Sequence, residues 1–373
     1  MRRLKLDRQR QTVRWLNFEN RVQSVPDSPE RGFELALYYA VTHDQARGRE
    51  AVQWALAHRC EKRQVALVLD WCGPLATTDE RAKLAKSDCA HAGMGGTAFI
   101  LSMRDKLFLQ IAAGEDVDDP ESPQWKGLVA LLQKGQFRNA QNLYAAVEII
   151  NAVRSATRSD LRRMAAQFFE TLPTEFLLSM KPSDVEHPSW IAHVAALALV
   201  ALDPNLPGSQ YLQGWSMESV QTLRDGPGVA YEFLWADPYL PGIGYQNLDP
   251  WVYDAEGRLF ARTDWTPSAC WIGISAKGLE ETQCPSGWAD KINQFGHMTL
   301  IPFHGSCVPI PNPKNGEASI LWKLQPHQAV VFSSRTGPQF FQADGAGIWR
   351  VPGNVGGKIC PASRDRTQQN LIK

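Results

Sequence analysis

Phenols, imidazoles and side-chain amides concentrate in three stretches of this chain. The densest runs from Gly226 to Asn247 and holds three Tyr, one Trp, Glu232 and Asp237 between Gly and Pro residues. Gly and Pro fix an irregular backbone, which is how a loop holds side chains toward a cleft. A phenol passes protons near neutral pH when neighbouring cations pull its pKa down from ~10. Tyr239 and Tyr245 are the candidates for that chemistry, because Tyr231 precedes a Phe-Leu-Trp run that reads as buried. The alternative is a linker whose aromatics plug a domain interface. The second stretch is Glu186-His-Pro-Ser-Trp-Ile-Ala-His193. Pro188 suits a first helical turn, which sets His187 at the open end and His193 inside the helix. Either imidazole can take a proton or neutralise a carboxylate; otherwise His193 is a satisfied interior residue and His187 a cap. The third is Arg138-Asn-Ala-Gln-Asn-Leu-Tyr144. Asn139 and Asn142 are three apart and share a helix face, where amides bind a carboxylate without adding charge. Caps and polar surface are the plainer account of both. Glu148 lies close to that face among apolar residues and reads as a buried partner for a His or Arg.

These side chains need a frame. Residues 30–225 carry helical periodicity, with Phe33, Leu37, Tyr38 and Val41 at helical spacing. Further helices are expected over 51–56, 63–71, 97–112, 124–133, 138–156, 159–172, 188–202 and 214–224. Gly73-Pro74 stops the 63–71 segment, and Thr77 with Glu80 reads as a capping box. After about residue 226 Gly and Pro become frequent and apolar runs shorten and alternate. Trp251 to Arg262 reads as strand, turn and strand, and short strands are expected at 269–275, 298–303, 318–324, 329–333 and 348–351. The predicted layout is an N-terminal extension (1–29), a helical domain (30–225), a junction loop (226–250) and an antiparallel β-sandwich (251–373).

The chain has 373 residues, with Lys plus Arg and Asp plus Glu both at 39, so the formal net charge is zero. A general nucleic-acid binder normally shows a strong basic excess, so no nucleic-acid partner is expected. Hydrophobic residues at 44% rule out wholesale disorder. No apolar run reaches the ~18 residues that would span a bilayer. No secretory signal is visible at the start. The seven Cys show no metal-finger spacing, so buried free thiols, or one or two bridges in an exported protein, are the readings. No P-loop, HExxH or nucleophile-elbow motif is present, and no cofactor or metal is expected. The thirteen Trp fit a large core or an aromatic cleft.

Leu35-Ala-Leu-Tyr-Tyr-Ala-Val-Thr-His-Asp44, Val68-Leu-Asp-Trp71, Leu75 and Thr77-Thr-Asp-Glu-Arg81 resemble stretches of the heparinase II/III-like polysaccharide lyases, and the order of helical half and β half resembles theirs. The resemblance implies a multidomain α and β fold, an incomplete (α/α) toroid followed by an antiparallel β-sandwich domain. It implies β-elimination at a uronic acid of an acidic polysaccharide or oligosaccharide. A base removes the C5 proton, an acid protonates the leaving oxygen, and the carboxylate is neutralised as its enolate-like intermediate forms. In those terms Tyr239, Tyr245 and His193 would be catalytic. Asn139, Asn142, His187, Arg262 and Trp235 would bind substrate. Arg262 alternatively pairs with Asp264 at the surface, and Trp235, Trp251 and Trp265 stack on sugars or fill the core. The family also suggests a secreted or periplasmic protein. Against the family's His-x-His-x-Asp-like stretch only His297 lines up, since His304 is seven residues on. That departure makes a non-catalytic glycan-binding or structural member of the same scaffold the alternative.

Overall fold

The structure, a computed structural model, describes residues 1–86, 96–119 and 122–248, with strands and short pieces between 251 and 359. The chain divides into two compact units. One comprises Met1–Pro173 and Pro188–Tyr245, the other Thr174–His187 and Gln246–Lys373.

The first unit is helical. Its elements are α1 (Arg2–Gln9), α2 (Val13–Ser24), α3 (Arg31–Thr42), α4 (Gln45–Ala57), α5 (Lys62–Cys72), α6 (Thr78–Ala85), α7 (Gly96–Ala113), α8 (Pro123–Gln133) and α9 (Ala140–Thr157), then the start of α10 (Ala166–Ser179), α12 (Trp190–Leu202), α13 (Pro207–Glu218) and α14 (Gly228–Trp235). The short α11 (Pro182–Glu186) belongs to the second unit. Packing runs from α2 to α3, α5, α7, α9, α12 and α14, and α14 returns to α2, so these helices close a circuit. Local sequence sets their ends. Thr77 and Glu80 form the expected capping box, the Thr77 hydroxyl accepting from Glu80 N–H at 3.3 Å and the Glu80 carboxylate from Thr77 N–H at 2.8 Å. α12 is apolar on nearly every side, as a helix enclosed by neighbours must be.

Residues 1–29, set apart by the sequence as an extension, carry α1 and α2. Trp15, Phe18 and Val22 are fully buried. Trp15 stacks on Tyr38 at 5.5 Å and Phe18 on Phe233 at 4.9 Å, so α2 closes the circuit between α14 and α3. Arg3 reinforces this end by donating to the carbonyls of Phe233, Leu234 and Ala236, which α14 leaves unpaired at its C-terminus.

The expected fold class is corrected on one point. Among the described residues fourteen α-helices precede residue 248 and no strand does, so the described part is predominantly helical and a β-sandwich is not supported. A sandwich needs two sheets laid face to face over a shared core. The described strands beyond residue 250 fall in separate antiparallel sheets. β1 (Trp251–Tyr253), β2 (Leu259–Arg262), β3 (Trp271–Ser275) and β4 (Gly278–Gln283) form one antiparallel sheet in that order. β5 (Thr299–Pro302), β7 (Gln328–Ser334), β8 (Gly337–Ala343) and β9 (Ile348–Val351) form another, and β6 (Val308–Pro309) pairs with β10 (Lys358–Ile359). In this second unit the end of α10 meets the first sheet. Trp271 Nε1 donates to Leu178 O at 3.0 Å and Arg262 Nη2 to Met180 O at 2.6 Å.

Among the described residues no helix is long and apolar enough to cross a membrane. Cys60 is disulfide-bonded, whereas Cys72 is a free thiol that burial pushes up to about 12. His297, His304, the 254–257 turn and the strand expected at 318–324 lie outside the described residues.

Candidate functional site

The helices of the circuit converge their polar side chains on Arg63. It is the second residue of α5 and is buried. Its Nε donates to both oxygens of Glu148 at 3.0 and 3.1 Å, and its Nη2 donates to Glu148 at 2.6 Å and to the Tyr144 hydroxyl at 3.2 Å. Its Nη1 donates to the Tyr231 hydroxyl at 2.9 Å and to Glu30 at 3.3 Å. Each face of the guanidinium fork is thereby occupied. Arg104 on α7 adds a second cation, donating to Glu148 at 3.2 Å and to Asp105 at 2.9 Å. Tyr231 donates to Glu30 at 2.8 Å, and Trp235 Nε1 donates to the Tyr144 hydroxyl at 3.3 Å.

Helical spacing explains why these groups meet. Tyr144 and Glu148 are four apart on α9, and Tyr231 and Trp235 are four apart on α14, so each pair shares a face. Glu30 is the residue that precedes α3, where a carboxylate suits the positive end of the helix. The rings form a continuous run. Trp190 lies 5.6 Å from Tyr231, Tyr231 is 5.6 Å from Tyr144, and Tyr144 is 6.4 Å from Trp235. The two phenols are buried, while the indoles at either end are half-buried.

Electrostatics fix the protonation states. Burial raises Glu148, but Arg63 and Arg104 outweigh it and hold the carboxyl below its usual range. Burial raises Glu30 above the ordinary carboxylate value, and Arg63 and Tyr231 only partly oppose it. Burial likewise drives Tyr144 and Tyr231 well above a free phenol, with Glu148 adding to the effect in both. Both phenols are therefore protonated at neutral pH. They serve as hydrogen-bonding groups and not as resting bases.

The residues nominated from sequence scatter. His193 is 0% exposed, and its Nε2 lies 2.7 Å from Ser216 O, so that nitrogen carries the proton. Burial pushes its pKa down to about 4. It is the satisfied interior histidine, shut off from water. Tyr239 is 75% exposed in the loop after α14, and Tyr245 is half-buried in the turn Tyr245–Asn247. A sealed imidazole and a surface phenol do not share a solvent-reachable groove, so the structure does not bring His193 and Tyr239 together. Asn139 caps α9 by accepting from Asn142 N–H at 3.2 Å. Asn142 is fully buried and donates to Gln136 at 2.9 Å, so this pair is structural on one side and inward-facing on the other. His187 belongs to the second unit, and its side chain is 81% exposed beside Glu186 at 3.7 Å. Arg262, also in the second unit, is buried against Met180 O with its guanidinium 4.2 Å from the Trp265 ring, so it does not reach a ligand at the surface. Only Trp235 enters the Arg63 cluster. Glu148 was legible as a partner for a cation, but Arg63, Arg104 and Glu30 were missed. The signal that pointed to them was the pair of four-residue spacings, Tyr144 with Glu148 and Tyr231 with Trp235.

Among the described residues no group of three or more His, Cys, Asp and Glu is disposed to hold a metal ion. The chain matches no protein-family model, and no curated protein matches it at a significant level of similarity.

Proposed function

We propose that the helical unit binds a glycan without cleaving it, as a non-catalytic relative of the heparinase II/III-like group. The observation that carries this reading is the run Trp190–Tyr231–Tyr144–Trp235, whose buried phenols are fixed by Arg63 and whose terminal indoles are half-buried. The accessible parts of the terminal indoles, flat apolar rings with a polar edge, suit the faces of pyranose rings, and the buried phenols hold them in place. The carboxylate of Glu30, beside Tyr231, can accept hydrogen bonds from sugar hydroxyls. Arg63 is saturated by its own partners, so a uronate would have to displace Glu148 to reach it. This favours neutral sugar hydroxyls over an acidic group at the floor of the site.

Calorimetric titration with xylan, mannan, alginate, polygalacturonate and heparan sulfate oligosaccharides tests the reading. Binding of at least one, lost in Trp235→Ala and Trp190→Ala, with no unsaturated product, is the expected result. Absence of binding across the panel ends it.

A second reading is cleavage of an acidic glycan by β-elimination. One observation favours it: the Arg63 guanidinium lies against two phenols, Tyr144 and Tyr231, where a ligand that displaced Glu30 or Glu148 would lower their pKa. Unsaturated uronate appearing with alginate, polygalacturonate or heparan sulfate, and lost in Tyr231→Phe, would select this reading over the first.

A further inference from the structure

The segment after α14, Asp237 to Ile243, is a surface loop anchored at both ends. Asp237 O accepts from Gln213 Nε2 at 2.8 Å, and Asp237 Oδ1 accepts from Tyr239 N–H at 3.1 Å. Leu240 N–H returns to Asp237 O at 3.2 Å, closing a turn. At the far end Ile243 N–H donates to Gln210 O at 2.9 Å. The same end lies so close to α13 that a Cβ on Gly214 would stand 2.0 Å from Ile243 O, so only glycine fits there. Pro238 and Pro241 restrict the backbone between these anchors. On this braced loop Tyr239 is 75% exposed. A free loop would fold such a ring down or leave it disordered. Here the ordering cost has been met by folding, and a ligand need not supply it.

We infer that Tyr239 is a preorganised stacking platform that extends the glycan site beyond the Arg63 cluster, engaging a sugar unit distal to the one at Trp235. The inference rests on the glycan-binding reading. Two observations select a sugar over a protein partner. The loop presents one ring, with Ile243 at 38% exposure and a half-buried Leu240 as its large apolar companions in the segment, which falls short of the ring of surrounding contacts that a protein hot spot needs to exclude water. The loop also follows directly on Trp235, with Tyr239 four residues further along the chain, which is the order that a platform for the next unit of a chain-like ligand would take.

The test compares a long oligosaccharide with a disaccharide of whichever glycan in the xylan, mannan, alginate, polygalacturonate and heparan sulfate panel binds. Tyr239→Ala should weaken the long ligand ~5-fold and leave the disaccharide unchanged, and Tyr239→Phe should restore it, since the ring face and not the hydroxyl is used. Gly214→Ala should weaken the long ligand with the ring still present. If that variant does not fold, the exposed Tyr239 substitutions decide alone. Trp235→Ala weakening binding while Tyr239→Ala leaves the long ligand untouched would overturn the platform and keep the site. Loss of binding in Tyr239→Phe equal to that in Tyr239→Ala would also overturn it. Wild-type protein that binds none of the five ends both readings together.

Discussion

The Arg63 cluster and the loop from Asp237 to Ile243 are built from the same residue types and behave oppositely. The loop is dense in sequence, carrying Asp237, Tyr239 and two prolines within a few positions, yet it leaves its phenol in water. The cluster is dispersed, drawing Glu30, Arg63, Arg104, Glu148 and Tyr231 from five helices or their ends, and yet these side chains interlock. Chemistry-bearing residues crowded along a chain mark a surface segment that can tolerate them. Those spread at one or two per helix mark an interior that must be satisfied group by group.

The contrast breaks most sharply at Glu148. Glu148→Ala leaves the buried Arg63 and the half-buried Arg104 short of their shared counter-ion and is expected to cost about 3–5 kcal/mol in urea unfolding. Replacing the pair together, Arg63→Met with Glu148→Leu, is expected to cost less than Glu148→Ala alone, because the most deeply buried charge leaves with its counter-ion while Arg104 keeps Asp105 and Glu30 keeps the Tyr231 hydroxyl. A double variant worse than the single would mean that the ion pair itself, and not the relief of desolvation, holds the circuit.

His193 and Tyr239, nominated together from sequence, extend the comparison to pH. The folded His193 has its pKa lowered to about 4, below the ordinary value of ~6.5, so the unfolded chain binds the proton more readily. Its contribution is fully present above pH ~6.5 and is lost as pH falls toward about 4, amounting to about 3 kcal/mol over that window. His193→Gln should flatten this part of the stability profile relative to wild type. Glu30 and Glu232, which burial raises, act with the opposite sign and are common to both proteins, so the difference isolates the imidazole. An unchanged profile would place His193 in contact with water.

Smaller effects belong to the loop. Gly214→Ala forces a methyl against the Ile243 carbonyl and should cost about 1–3 kcal/mol, read as a lower melting temperature. Tyr239→Ala removes an exposed ring and should shift stability by no more than ~0.5 kcal/mol. A larger loss at Tyr239 than at Gly214 would show that the ring packs on something and would erase the distinction between the two regions.

Much of the helical frame was legible. Periodicity placed α3, α5, α7, α8, α9 and α12 within a few residues of their observed ends, and the Thr77–Glu80 box was read from four letters. The helix expected over 214–224 sits earlier, at Pro207–Glu218, because Pro207 supplies a better helix start than the residues near Gly214. α1 and α2 were passed over as an extension, since Arg-rich sequence masks the single apolar stripe of Trp15, Phe18 and Val22. The sandwich was overread, because alternating short runs specify strands but not which sheet lies on which. The site was hardest. Arg63 sits among Lys62 and other charged neighbours and looks like solvated surface until the circuit folds around it.

Closure of that circuit by α2 has a consequence for synthesis. Arg3 finds its acceptor at Phe233, 230 positions along the chain. At ~5–20 residues per second, α2 waits roughly 10 to 45 s on the ribosome before α14 exists. During that interval Trp15 and Phe18 lack the surface of Phe233 and remain open to mispairing with neighbouring nascent chains. Holdase chaperones that shield the first two helices should therefore raise the yield of correctly folded protein more than those acting after release.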